Sequence, residues 1–203
     1  MQTRLSYRGI PVTGTLLRNS FNELQAPKAK IERLVKSGDL IRLRRNLYID
    51  TDTDVMNSFL AANYIVSPSY VSGLTALCYY GIIPETVVDT ISMTTVKKAI
   101  YNNKIGNFTY HQLPSEYFYL GIQEKNILGS NVLIASMEKA LCDHIQITPN
   151  LNLRFIQETR SWLEDEMRMD MEELSKMNLT LLSECAQKGK KKRMLNNIIK
   201  IFS

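Results

Sequence analysis

Asp89 with the adjacent pair Glu138-Lys139 comes nearest to a catalytic arrangement in this sequence. Metal-dependent nucleases of the restriction-enzyme type use an acid, then acid-x-Lys on a strand, to hold a cation and activate water. Here the second acid and the lysine are neighbours, and Ser136–Ala140 reads as a helix start, so the spacing is missed. Glu138 fits better as an acid near a helix N-terminus, where it complements the dipole. Glu164-Asp165-Glu166 reads as a solvated helix face rather than a carboxylate pair. The sequence carries no GxGxxG, Walker A, GxSxG or HExxH motif. The three cysteines, Cys78, Cys142 and Cys185, are far apart and form no CxxC. Cys142 and His144 are two apart on a helix and point to different sides. The expectation is a protein that is not an enzyme and needs no metal or cofactor.

Cations offer a different chemistry. Residues 1–50 hold ten Lys/Arg against four Asp/Glu, a balance of +6, whereas the rest of the chain balances at −1. Such asymmetry points to a polyanion as the partner of the N-terminal quarter. Seven of these cations, Lys28, Lys30, Arg33, Lys36, Arg42, Arg44 and Arg45, lie within 18 residues, opposed locally only by Glu32 and Asp39. Arg is the better choice at such positions because its planar fork meets phosphate or guanine with two hydrogen bonds.

The elements that position these cations follow from local signals. Val12–Phe21 reads as a short helix with Thr13 as N-cap. Pro27 suits a first helical turn, where its missing N–H costs nothing. Ile31, Leu34 and Val35 then form one apolar face of a second helix, with Ala29, Arg33 and Lys36 opposite and Lys30 on the flank. Gly38 stops it. Leu40–Arg44 and Leu47–Ile49 read as two strands joined at Arg45-Asn46, since Asn tolerates the backbone a tight hairpin needs. Arg42 and Arg44 share one strand face, with Ile41 and Leu43 on the other. Two helices and a hairpin with an Arg-rich tip, in this order, predict a winged helix-turn-helix that binds double-stranded DNA. The second helix suits a major groove about 12 Å wide and the hairpin suits the flanking backbone or minor groove. Winged helices also serve as protein-interaction modules without DNA, and that alternative stands beside the nuclease one.

Beyond Asp50 the expected elements are helices at 55–65, 70–80 and 136–145, and strands at 87–94, 108–113, 118–123 and 132–135. Further helices follow at 152–166, 171–186 and 193–202. The fold class is therefore α+β: an N-terminal winged helix-turn-helix over residues 1–50, then a mixed α/β domain with a helical C-terminal region over residues 51–203. A second basic cluster, Lys188 to Arg193, reads as a solvated connector with scope for phosphate contact. No run of about 18 apolar residues and no signal-peptide stretch occurs, which predicts a cytoplasmic protein without a membrane span.

Three stretches resemble one known family. Leu40-Ile-Arg-Leu-Arg-Arg-Asn-Leu-Tyr48 is similar to the wing of the AbiEi family, whose pattern there is close to R-x-R-R-G-x-Y, with Asn46 in place of the usual Gly. Pro68-Ser-Tyr-Val-Ser-Gly-Leu-Thr-Ala-Leu77 with Tyr80-Gly81, and Ala135-Ser-Met-Glu-Lys-Ala-Leu-Cys-Asp143, agree in order and spacing. The resemblance spans residues 10–145. It implies an antitoxin of type IV toxin–antitoxin systems. Such a protein represses its own operon at an operator, and its functional partner is a nucleotidyltransferase toxin that it neutralises without a stable complex.

Overall fold

The computed structural model describes residues 7–52 and 56–203, and the chain folds as α+β. The first elements are a two-residue strand β1 (Val12–Thr13) and helix α1 (Gly14–Ser20). Helix α2 (Pro27–Ser37) and strands β2 (Leu40–Arg44) and β3 (Leu47–Asp50) follow. Their boundaries have local causes. The Thr13 hydroxyl accepts the Leu16 N–H and caps α1. Pro27 opens α2, and Gly38 closes it at φ 87°, a left-handed conformation that a side chain would penalise. Asn46 takes φ 62° at the hairpin tip. The strands form an antiparallel sheet in the order β1-β3-β2.

Two helices alone bury too little apolar surface to hold such a unit. Leu17 of α1, Ile31 of α2, and Val12, Leu40 and Tyr48 of the sheet therefore close a small core together with Phe21. Each fully buried aliphatic there contributes about 1.5–3 kcal/mol. The other face of the hairpin is also used. Leu43, Leu47 and Ile49 join the main core of the chain, and Asn103 donates its side-chain N–H to the Leu43 carbonyl at 3.1 Å. One apolar core thus joins the hairpin to the elements that follow it.

The main core is built on a six-stranded mixed sheet. Its strands are β4 (Ser69–Val71), β5 (Thr90–Thr94), β6 (Ala99–Asn103), β7 (Gly106–Gln112), β8 (Ile122–Ile127) and β9 (Ser130–Ala135). Their order is β6-β7-β5-β4-β9-β8. β4 runs antiparallel to β5 and parallel to β9, and β5 runs parallel to β7. Helices α3 (Ser58–Ile65), α4 (Gly73–Tyr79), the single turn α5 (Ser115–Phe118) and α6 (Met137–Ile147) pack with it. Beyond α6 the chain is helical: α7 (Ile156–Ser161), widening into a π-type turn over Trp162–Glu166, then α8 (Met171–Ser175), α9 (Leu179–Lys188) and α10 (Lys192–Phe202). Among the described residues no helix is long and apolar enough to cross a membrane.

Several expectations need correction. Residues 70–80 are not one helix: Tyr70 lies on central strand β4, and α4 begins at Gly73. The β5 and β9 backbones on either side hold those three residues extended, which outweighs their local preference. The strand expected at 118–123 begins at Ile122, and the one expected from residue 87 begins at Thr90. β6 was not foreseen at all. The helix expected over 171–186 is two, because the Asn178 carboxamide accepts the Thr180 and Leu181 N–H groups and starts a new helix. The helix expected from 152 begins at Ile156. Part of the helix expected over 55–65 lies outside the described residues; the described part begins at Ser58.

Candidate nucleic-acid interface

Helix α2 turns Ile31 into the small core and half-buries Leu34 and Val35 against it. The helical repeat therefore sends Lys28, Arg33 and Lys36 to solvent, with Lys30 half-buried on the flank. On β2 the pleat alternates in the same way. Leu43 goes to the main core while Arg42 and Arg44 are exposed, and Arg45 is exposed at the turn. A bulge between Arg42 and Arg44 shifts the register with β3 and re-aims the strand end.

The seven cations differ in how they are held. The Arg42 guanidinium lies 5.6 Å from the centroid of the Tyr48 ring, a cation–π contact that steadies it on the surface. Arg33 Nε donates to the Ala29 carbonyl at 3.4 Å, and Arg44 Nη1 donates to the Arg45 carbonyl at 3.4 Å. Both are long, weak bonds that a stronger acceptor displaces. Among the described residues none of the seven forms an ion pair with a carboxylate. Asp39, one of the two nearby acids, accepts instead from the Ser37 hydroxyl at 2.6 Å. Asp50, also in this quarter, is buried and accepts the Gly9 N–H at 2.7 Å and the Tyr7 N–H. It ties Tyr7 and Gly9 to the sheet rather than pairing with the outer cations. Sequence reasoning passed over Arg18 at the end of α1, which bonds the Thr15 hydroxyl at 2.9 Å.

The residues of the nuclease reading have separate partners. Asp89 accepts from the Asn107 side chain at 3.0 Å. Glu138, in the first turn of α6, accepts the Asn178 N–H at 2.8 Å. Lys139 is fully buried: its Nζ lies 2.8 Å from Asp143 Oδ1, donates to the Tyr117 carbonyl at 3.0 Å and sits 3.3 Å from the Tyr117 ring centroid. Asp143 Oδ2 accepts the Ser72 hydroxyl at 2.6 Å and the Tyr70 hydroxyl at 2.9 Å. This network joins β4 and the start of α4 to α5 and α6. Burial and the neighbouring Asp143 push the Tyr70 phenol far above its usual range, so it remains a donor. The sequence signal was present but unread: a Lys and an Asp four apart inside an otherwise apolar helical run must either pair or be expelled. Among the described residues no group of three or more His, Cys, Asp and Glu could hold a metal ion. Cys142 and Cys185 are buried free thiols, and His144 stacks on Trp162 with ring centroids 6.0 Å apart.

No family model and no curated protein matches the chain.

Proposed function

We propose that the chain is a DNA-binding transcriptional regulator that grips duplex DNA through a winged helix-turn-helix within residues 1–50. One observation carries this reading: seven clustered cations on α2 and the β2–β3 hairpin, without carboxylate partners among the described residues, opposite faces committed to core packing. Unpaired surface cations cost self-repulsion and are best used against a polyanion. In this reading α2 enters the major groove, with Lys28, Lys30, Arg33 and Lys36 reaching base edges or phosphates. The hairpin lays Arg42, Arg44 and Arg45 along the adjacent backbone. Residues 51–203 then form a second, α/β region with the helical C-terminus.

The test separates the two parts by their chemistry. Arg44→Ala with Arg45→Ala weakens specific and non-specific duplex alike, because phosphate carries no sequence information. Arg33→Ala costs about 1–3 kcal/mol on the preferred site and less elsewhere. Wild-type binding by the wing double variant rejects this surface. Repression of its own operon from an operator, and neutralisation of a nucleotidyltransferase toxin, extend the proposal on the resemblance to the AbiEi family. They are tested by expression beside such a toxin.

A further inference from the structure

Helices α6 and α9 run side by side in the same direction, and two hydrogen bonds fix their register. Glu138, in the first turn of α6, accepts the Asn178 N–H at the start of α9 at 2.8 Å. Gln146, in the last turn of α6, accepts the Lys190 N–H just past the end of α9 at 3.0 Å. Gly189 allows the close approach at that end, since a Cβ there would overlap Gln146 Nε2. Positions one turn apart share a helix face. Cys142 lies one turn after Glu138 and one turn before Gln146, on the face of α6 that meets α9. Cys185 lies one turn before Gly189, on the facing side of α9.

The two cysteines therefore form the rung between these clamps, and their thiols hydrogen-bond to each other. Both are fully buried and both are free. Facing thiols held in register can be joined covalently, as no other apolar pair can. Their surroundings make them unequal. The hydrogen bond with Cys142 and the Lys139 ammonium lower the Cys185 thiol, while burial pushes Cys142 up. Gln146 and Gly189, one turn beyond the thiols on each helix, line an open cavity of about 270 Å³. A hydroperoxide is small and uncharged, and it reaches the pair from that cavity through local opening at the end of α9.

We propose that Cys142 and Cys185 are a redox pair, closed to a disulfide by a hydroperoxide and reopened by a dithiol, which locks α9 onto α6. The Cys185 sulfur attacks one peroxide oxygen; the O–O bond breaks, and hydroxide leaves with the thiol proton as water. Cys142 then attacks the resulting sulfenic sulfur; the S–S bond forms, the S–O bond breaks, and a second water leaves with the Cys142 proton. Two thiols lose two electrons and the peroxide gains them. This inference does not depend on DNA binding by α2.

The test exposes the full chain to millimolar hydrogen peroxide, quenches with an alkylating agent in denaturant, and maps peptides without reduction. The expected result is loss of two hydrogen atoms, one peptide pair linking Cys142 to Cys185, and the same link in Cys78→Ser. Because the bond closes a long loop between preformed partners, Tm should rise by roughly 5–10 °C and return with dithiothreitol. Cys142→Ala and Cys185→Ala should each abolish the link and the rise. Peptide mapping of the unaltered chain decides the question even where a variant folds poorly. Alkylated Cys142 and Cys185 after exposure, linkage through Cys78, or sulfinic acid at Cys185 without a link overturns the proposal. An oxidised chain whose Tm is unchanged or lowered also overturns it, since the lock would then strain α6 against α9.

Discussion

Removing one charge of the buried Lys139–Asp143 pair should be far more damaging than removing both. Each side chain is fully buried, with Nζ 2.8 Å from Oδ1. Asp143→Asn keeps an acceptor for Tyr70 and Ser72 but leaves the lysine charge uncompensated, at a cost of about 3–5 kcal/mol. Lys139→Met leaves the carboxylate with only its two hydroxyl donors and costs a similar amount, roughly 3 kcal/mol or more. In the double variant no charge remains. What is lost is the bond to the Tyr117 carbonyl and the cation over its ring, about 1–3 kcal/mol together. The double-mutant cycle should therefore show a coupling of at least about 3 kcal/mol. Urea unfolding of the four proteins, followed by circular dichroism, measures it. Against a typical total stability of about 5–15 kcal/mol the single variants should still fold at low temperature. Additive effects, or a double variant worse than either single one, would refute the view that this pair is an isolated buried charge couple clamping β4 and α5 to α6.

Other outcomes follow from the same structure. His144 is held down to about 4 by burial and by the Lys191 charge, so the unfolded chain binds its proton first as pH falls. Stability should be full above about pH 6.5 and decline by about 3 kcal/mol towards pH 4, and His144→Phe, which preserves stacking on Trp162, should flatten that loss in urea titrations at pH 7.5 and 4.5. A slope unchanged in His144→Phe would show that other groups, His111 among them, carry it. At the hairpin tip, Asn46→Gly should be neutral within about 0.5 kcal/mol while Asn46→Val costs about 1–2 kcal/mol, read from melting, because of φ 62°. On the proposed antitoxin reading, the Arg44→Ala, Arg45→Ala variant co-expressed with a nucleotidyltransferase toxin should protect cells as well as wild type does; loss of protection in the variant alone would tie neutralisation to the DNA surface.

That last comparison uses point substitutions because Leu43, Leu47 and Ile49 pack into the main core. A chain cut after residue 50 would expose their contacts. The charge asymmetry suggested a boundary there, but charge reports the outer faces only, and the inner face of the hairpin obeys the larger core. The hairpin and the two helices before it were legible because their signals are local: Thr13, Pro27, Gly38 and Asn46 each act within a turn of themselves. β4 was not, since three residues hold no period and take their state from β5 and β9. β6, Ala-Ile-Tyr-Asn-Asn, is an edge strand whose polar residues resemble a loop until β7 pairs with it. The candidate interface was legible for the opposite reason: all seven cations fall within one local run.

The most direct test of the central reading is the salt dependence of duplex binding by the full chain, measured by fluorescence anisotropy across a salt series. With about five phosphates contacted by the exposed cations of α2 and the hairpin, log K should fall against log salt with a slope near −4 to −5, and near −3 for the Arg44→Ala, Arg45→Ala variant. A slope near zero, or duplex binding too weak to measure at low salt, would contradict it and leave the unit as a surface for protein partners.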